Sequence, residues 1–245
     1  DQASLDWGKE TNGWSWPWPR QVYAPIIDFC RRGGARAVIF DVLYTEPSLY
    51  GVADDRLLAA SVQQAPAFVA ALALGNETGG EDSWPPAIPH RSLSLDSTDQ
   101  ELLQAVLHHL TASHCTFPIP DIAAVATLLG NVMDDPDSDG IFRRAHLIRV
   151  FDGRAIPSLG LGGYLAGGGS ETAGSETPDT FRQRVSLADG YLQVDRYRCP
   201  LDPNQRVILR YRGPSGTHEA YSAAAVIQSE MRLREEAGPP PVLRD

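Results

Sequence analysis

Apolar residues recur at helical spacing through Val22, Ile26 and Phe29/Cys30, which predicts a helix opened at Pro19 or Arg20 and stopped by Gly33-Gly34. Ala37 to Leu43 is then a nearly continuous apolar run, the pattern of a strand covered on both faces and usually parallel. Asp54-Asp55 supply an N-cap for a helix through Leu57, Leu58, Ser61 and Val62. Phe68 to Leu74 is the next buried strand, ended by Gly75-Asn76. Strand, helix and strand in this order predict a βαβ unit.

Further along, Gly75 to Leu95 has the composition of a long loop. Thr98 to Glu101 reads as a capping box before Leu102, Leu103, Val106 and Leu110. Asp121 is placed to cap a helix from Ile122 to Leu129, and Asn131-Val132 to start a strand. Phe142 to Val150 alternates and meets the hairpin signal Asp152-Gly153. Pro157-Ser158 opens a small-residue helix through Leu165, and Gly167 to Pro178 reads as a flexible insertion. Val207 to Tyr211 is a strand, Glu219 to Glu236 an amphipathic helix, and Gly238 to Pro241 a linker. The expected class is α/β. A mixed central sheet has a parallel βαβ half and an antiparallel half, with helices on both faces, in a single domain over 1–245.

Composition narrows the function. The 245 residues carry a net charge of −10, which argues against a nucleic-acid partner or an anionic membrane surface, since both demand basic patches. No stretch approaches the roughly 18 apolar residues of a membrane span. Without an initiator Met or a leader pattern, Asp1 reads as the start of an excised piece. Cys30, Cys115 and Cys199 are too few for a disulfide framework, and a Cys115–Cys199 bridge stays open.

Three tryptophans, Trp14, Trp16 and Trp18, fall in one pentapeptide before Pro19-Arg20. Trp and Pro lose little entropy on ordering, so this segment reads as a stiff lip beside a sheet edge. Asp1 and Asp41 each read as the last residue of a parallel strand, and ligands of open α/β sheets sit beyond such ends. Glu46, Asp54 and Asp55 follow in the next loop. Asp1, Trp16, Trp18, Arg20, Asp41, Glu46 and Asp55 are therefore the candidate ligand-binding set, for a small polar solute or a cation. The competing reading is helix caps plus an Asp–Arg pair that holds the loop.

Other motifs are weaker. Asp135, Asp137 and Asp139, with Gly140, open like a calcium loop, but the twelfth position is His146 where a bidentate Glu is needed. A polar turn between strands is the preferred reading there. His108 and His109 point about 100° apart on a helix, so only one can join His114 and Cys115 at a zinc ion. Gly160, Gly162 and Gly163 lack the spacing of a dinucleotide fingerprint, and there is no phosphate loop or nucleophile elbow. Lys9 is the sole lysine. No cofactor is expected, and the catalytic repertoire is thin.

The ordered set Trp16-Pro17-Trp18-Pro19-Arg20, Tyr23-Ala24, Phe40-Asp41, Glu46-Pro47, Asp54-Asp55, Gly130-Asn131, Asp137-x-Asp139-Gly140, Arg143-Arg144, Pro157-Ser158-Leu159, Pro200-Leu201-Asp202 and Tyr211-Arg212-Gly213-Pro214 resembles the CHASE domain, type two, over nearly the whole chain. That family is an extracellular sensory module of bacterial receptors. The resemblance implies an extracellular or periplasmic domain of an inner-membrane protein without catalysis of its own. Its partners would be flanking transmembrane helices of the same chain, with a homodimer as a further option. Adenylate cyclase or protein kinase modules would carry the output. Two alternatives stand beside it: a metal-dependent hydrolase using Asp1, Asp41, Glu46 and Asp55, and a dimerisation module without a small ligand.

Overall fold

The computed structural model describes residues 1–76, 80–89, 93, 100–168, 184–188 and 190–236, with the backbone alone at 100–103 and 236. The expected capping box at Thr98 and the insertion at 167–178 fall largely outside these residues, as does the Gly238–Pro241 linker. The chain divides into two compact units. One joins Asp1–Val38, Glu46–Pro66 and the segment from Arg212 onward; the other joins Ile39–Thr45 and Ala67–Tyr211.

The first unit is helical. It contains α1 (Gln2–Asn12), a 3-10 turn at Arg20–Tyr23, α2 (Ala24–Arg32), α3 (Val52–Gln63) and, near the other end of the chain, α7 (Ala223–Glu236). Helix α1 is a departure from expectation: Asp1 is no strand end but its N-cap, accepting the Ser4 N–H at 2.8 Å. The stretch Gln2–Asn12 has only Ala3, Leu5 and Trp7 as apolar residues, too few to show a helical period. Trp7 meets Trp14 edge to face at 5.6 Å and Trp18 at 6.4 Å. Trp18, Val22 and Ile227 form the buried centre, with Leu5, Trp7, Trp14 and Tyr23 around it. Gly8 matters here, since a Cβ at that position would sit 2.8 Å from Trp18 Nε1. Ser4 Oγ lies 2.9 Å from Ser222 Oγ and accepts the Ala224 N–H at 3.1 Å, so α1 and the start of α7 are pinned side by side.

Helix α2 behaves as its spacing predicts, with Pro25 in its first turn, where the missing N–H costs nothing, and Gly33 at its end. Its side chains also anchor α7. The carboxylate of Glu230, wholly buried, accepts from Arg32 Nε at 3.2 Å and Nη2 at 3.0 Å and from Arg234 at 3.2 Å.

The second unit carries the sheets. β2 (Phe68–Gly75) is its central strand: β4 (Leu128–Asn131) pairs with it in parallel and β3 (His114–Thr116) antiparallel, and β1 (Val38–Phe40) joins the same sheet. Register runs Val69 to Leu128 and Leu72 to Asn131. The mixed α/β class is as expected, and the antiparallel part forms three small sheets. These are the hairpin β6–β7 (Ile148–Phe151, Arg154–Pro157), the pair β5–β11 (Arg144–Ala145, Val207–Ile208), and the meander β8–β9–β10 (Val185–Ala188, Tyr191–Val194, Tyr197–Pro200). Asp152 and Gly153 turn the β6–β7 hairpin with φ of 47° and 71°, the two left-handed residues of a primed turn.

Several boundaries move. β1 is three residues long and Val42 and Leu43 beyond it are exposed, so the apolar run at 37–43 is not one doubly covered strand. Asp54 and Asp55 lie in the first turn of α3, whose N-cap is Gly51. Ile119, not Asp121, precedes α5 (Pro120–Val125), and Leu128 and Leu129 leave the helix for β4. Buried on all sides, they satisfy a strand as well as a helix, and apolar content alone does not separate the two. The meander β8–β10 had no expectation at all.

Helix α6 (Leu159–Ala166) opens as predicted, with Ser158 Oγ accepting the Leu161 N–H at 3.3 Å. Its glycines explain themselves: a Cβ on Gly163 would strike Ile39, and one on Gly130 of β4 would lie 2.7 Å from the Leu159 Cα. These are close-packing glycines between helix and sheet. The core beneath them gathers Val69, Leu128, Ile148, Leu165, Val185, Leu192 and Val194. Cys30, Cys115 and Cys199 are all free thiols, so the Cys115–Cys199 bridge is not formed; burial pushes the Cys115 thiol far up.

Candidate functional site

Part of the predicted ligand set converges in the helical unit. The Arg20 guanidinium donates to Asp55 Oδ1 through Nη1 and to the Glu46 carbonyl through Nη2. Asp54 receives the backbone N–H of Arg20 at 2.7 Å and of Gln21 at 2.8 Å, and the Ser48 hydroxyl at 2.5 Å. The second oxygen of Asp55 accepts the Ser48 N–H at 3.1 Å. Both carboxylates are buried. The two carboxylates thus accept from one guanidinium, three N–H groups and one hydroxyl, which tie the 3-10 turn to the Glu46–Ser48 loop. Glu46 takes part through its carbonyl, and its side chain is not needed.

The other members of the set go elsewhere. Trp18 is 5% exposed, with its indole in the helix core, while Trp16 is 66% exposed and meets Trp18 edge to face at 6.4 Å. Asp41 follows β1 directly, as a strand-end residue should, on an exposed loop of the sheet unit. Asp1 caps α1.

The turn from Asp135 to Gly140 is held by arginines. Asp139 receives Arg143 Nη1 on both oxygens at 2.8 Å; Asp137 receives Arg144 at 2.9 Å and faces Arg206 at 3.4 Å. His146, at the position where calcium needs a carboxylate, is buried between Asp134 Oδ1 at 2.9 Å and the Asn204 carbonyl at 3.0 Å. Among the described residues no three His, Cys, Asp or Glu side chains come together as a metal site. His108 and His109 stand with ring centroids 3.8 Å apart on α4 (Gln100–Leu110), while His114 is on β3.

A cavity of about 440 Å³ opens in the sheet unit, which the sequence reading did not anticipate. Its walls are Ala73 to Asn76 at the end of β2, His114 and Thr116 of β3, Met133 to Asp135 after β4, and Arg149 of β6. It lies beyond the carboxyl ends of the parallel pair β2–β4, where an open α/β sheet leaves a crevice for ligands. Asn131 builds this rim. Its Oδ1 accepts the Leu74 N–H at 3.0 Å and the Met133 N–H at 3.1 Å, and its Nδ2 donates to the Met133 carbonyl at 2.6 Å. The Asn131 side chain thereby fastens the end of β4 to β2 and to the turn that follows.

The charged groups of the wall are unevenly engaged. Asp134 accepts the His146 backbone N–H at 2.5 Å, the His146 ring and the Asp135 N–H. Burial alone would raise its carboxyl, but these hydrogen bonds win and hold it below the usual carboxylate range. Arg149 is 6% exposed, and its Nε donates to the Leu110 carbonyl at 3.1 Å, capping the C-terminus of α4. Among the described residues that is its one hydrogen bond, so both terminal nitrogens remain to be filled. The Asp135 carboxylate has no partner among the described residues either. His114 Nδ1 is buried without a hydrogen bond.

The sequence signals for this cavity were present but misassigned. Gly75-Asn76 was legible as a strand end. β4 is expected to start at Asn131 and in fact ends there, so Asp135, read as the opening of a calcium loop, lies just past a strand end. Arg149 sits in an alternating run where a lone Arg looks solvent-facing, and every residue of β6 is buried.

Among the described residues no helix is long and apolar enough to cross a membrane. No curated protein and no solved structure matches the chain. The family model described as CHASE2 domain matches residues 1–245, and with the whole chain matched, the protein belongs to the CHASE2 domain family, a family of extracellular sensory domains found in receptors.

Proposed function

We propose that this chain is the periplasmic or extracellular sensor of a bacterial transmembrane receptor, that it has no catalysis of its own, and that it responds to a small solute. The observation that carries the reading is the cavity at the carboxyl ends of β2 and β4, whose wall holds Arg149, a largely buried residue whose terminal guanidinium nitrogens make no hydrogen bond among the described residues. A buried charge left without a partner is costly, and sites tolerate that cost where a ligand supplies the partner. The residues lined up there bind; none forms a nucleophile–base pair that would act on the solute.

Output would run through the helical unit. Helices α1 and α7 are fastened through Ser4, Ser222 and Ala224, so a change at one helix is felt by the other. Flanking transmembrane helices would receive that change and pass it to a cyclase or protein kinase module. Binding biases such packing only through differential affinity for two states. A homodimer is compatible with this route.

Cysteine labelling of the full-length protein in intact cells tests the placement. Leu49 is 86% exposed, so Leu49→Cys offers a free thiol. A membrane-impermeant maleimide should label it in whole cells above the parent protein. Labelling only after lysis overturns the reading.

A further inference from the structure

Two opposite charges line the same cavity without neutralising each other. Arg149 comes from β6 and Asp135 from the turn after β4, and no ion pair joins them. Arg149 is the buried member, for which a partner lowers the cost, while Asp135 is exposed and hydrated. Their separation across a space of about 440 Å³ leaves room for a molecule carrying both complementary charges. Ala73, Leu74 and Met133 give that space an apolar side, and Asn76, Thr116 and His114 add polar hydrogen-bonding groups.

We propose that the cavity takes a small zwitterion of the α-amino-acid class, its carboxylate on Arg149 and its ammonium group toward Asp135. A guanidinium with two unfilled terminal nitrogens presents the fork that a carboxylate accepts in bidentate fashion. Nε is already fixed on Leu110, so the fork is preorientated and little rotamer entropy remains to be lost on binding. Asp135 is exposed at the mouth, where an ammonium group stays partly hydrated, while the carboxylate goes to the buried end. Asp134 contributes field rather than a free acceptor, because His146 and Asp135 occupy its oxygens. A divalent cation is disfavoured by Arg149, and the Asp135 carboxylate repels a plain anion.

This ligand class rests on the sensor reading above. Calorimetry of the purified chain tests it with individual small α-amino acids, each also supplied as its methyl ester and its N-acetyl derivative. At least one free amino acid should bind, with both blocked forms weaker by roughly tenfold or more, the worth of one charge-assisted hydrogen bond. Arg149→Gln should abolish binding. Because that change also uncaps α4, Asp135→Asn serves as a second variant on an exposed side chain, and it should weaken the free amino acid but leave the N-acetyl form unchanged. Equal affinity for ester and parent overturns the proposal, as does tight binding of acetate or inorganic phosphate that Asp135→Asn does not alter. Absence of binding by every amino acid at millimolar concentration also overturns it. A chain labelled from outside the cell that binds none of the panel loses the ligand class and keeps the sensor reading.

Discussion

Asp54 Oδ2 accepts the backbone N–H of Arg20 at 2.7 Å, so the first turn of α3 caps a 3-10 turn thirty-four residues earlier in the chain. The carboxylate stands where Pro19 offers no side-chain cap of its own. It does for the Arg20–Tyr23 turn what an N-cap residue does for a helix, but from another segment. Asp54→Ala strands the buried N–H of Arg20 and leaves the part-buried Gln21 N–H and Ser48 hydroxyl without their acceptor. Equilibrium urea unfolding should show a loss of about 2–3 kcal/mol. Asp41→Asn, on an exposed loop, should cost within about 0.5 kcal/mol. Equal losses would mean that Asp54 is not the fastening point.

Gly8 sets two effects against each other. Alanine gains about 1 kcal/mol of helix propensity over glycine. Its Cβ would lie 2.8–2.9 Å from three atoms of the Trp18 ring, inside contact distance. That ring is held by Trp7, Trp14, Trp16 and Tyr23 and has little freedom to move. Overpacking a core costs about 1–3 kcal/mol, so Gly8→Ala should be net destabilising by about 1 kcal/mol. Tryptophan fluorescence should shift to the red as the cluster loosens. A stabilised variant would show that α1 slides freely on Trp18.

Asp134 links the cavity wall to acid stability. Its folded carboxyl titrates below the ordinary aspartate value of about 3.9, so its stabilisation is complete above that value. The stabilisation drains away as pH falls through the lower folded value. His146→Leu removes the ring hydrogen bond and leaves burial, which raises the carboxyl. Carboxyl-detected NMR should therefore find Asp134 titrating higher in the variant, and acid unfolding should begin at higher pH. An unmoved titration would mean that the His146 backbone N–H alone sets it.

The Asp135–Gly140 turn should be indifferent to calcium. Its carboxylates at 137 and 139 are already answered by Arg143, Arg144 and Arg206. Adding a divalent cation would require displacing guanidinium groups. Thermal unfolding should be unchanged at micromolar calcium, and Asp137→Ala should lower the midpoint equally with and without the ion. A midpoint raised by several degrees, and lost in Asp137→Ala, would identify a real cation site.

Local chemistry was legible where neighbours in sequence are neighbours in space. Ser158 before α6, Gly33 after α2 and Asp152-Gly153 in the β6–β7 hairpin each act within one turn of the chain, so residue type alone decides them. The mixed α/β class and the family resemblance follow from such ordered signals. Tertiary structure decided the rest, because charge and apolar surface are priced by what surrounds them. Asp54 and Asp55 looked like caps for their own helix, and burial beside Arg20 made them a clamp on another segment. Trp18 looked like a lip, and the faces of α1 and α7 made it core. Leu128-Leu129 read as the end of a helix, and the parallel edge of β2 made them strand. The cavity needed strand ends from β2 and β4 and an arginine from β6, brought together only by folding, and no period in the chain records that meeting.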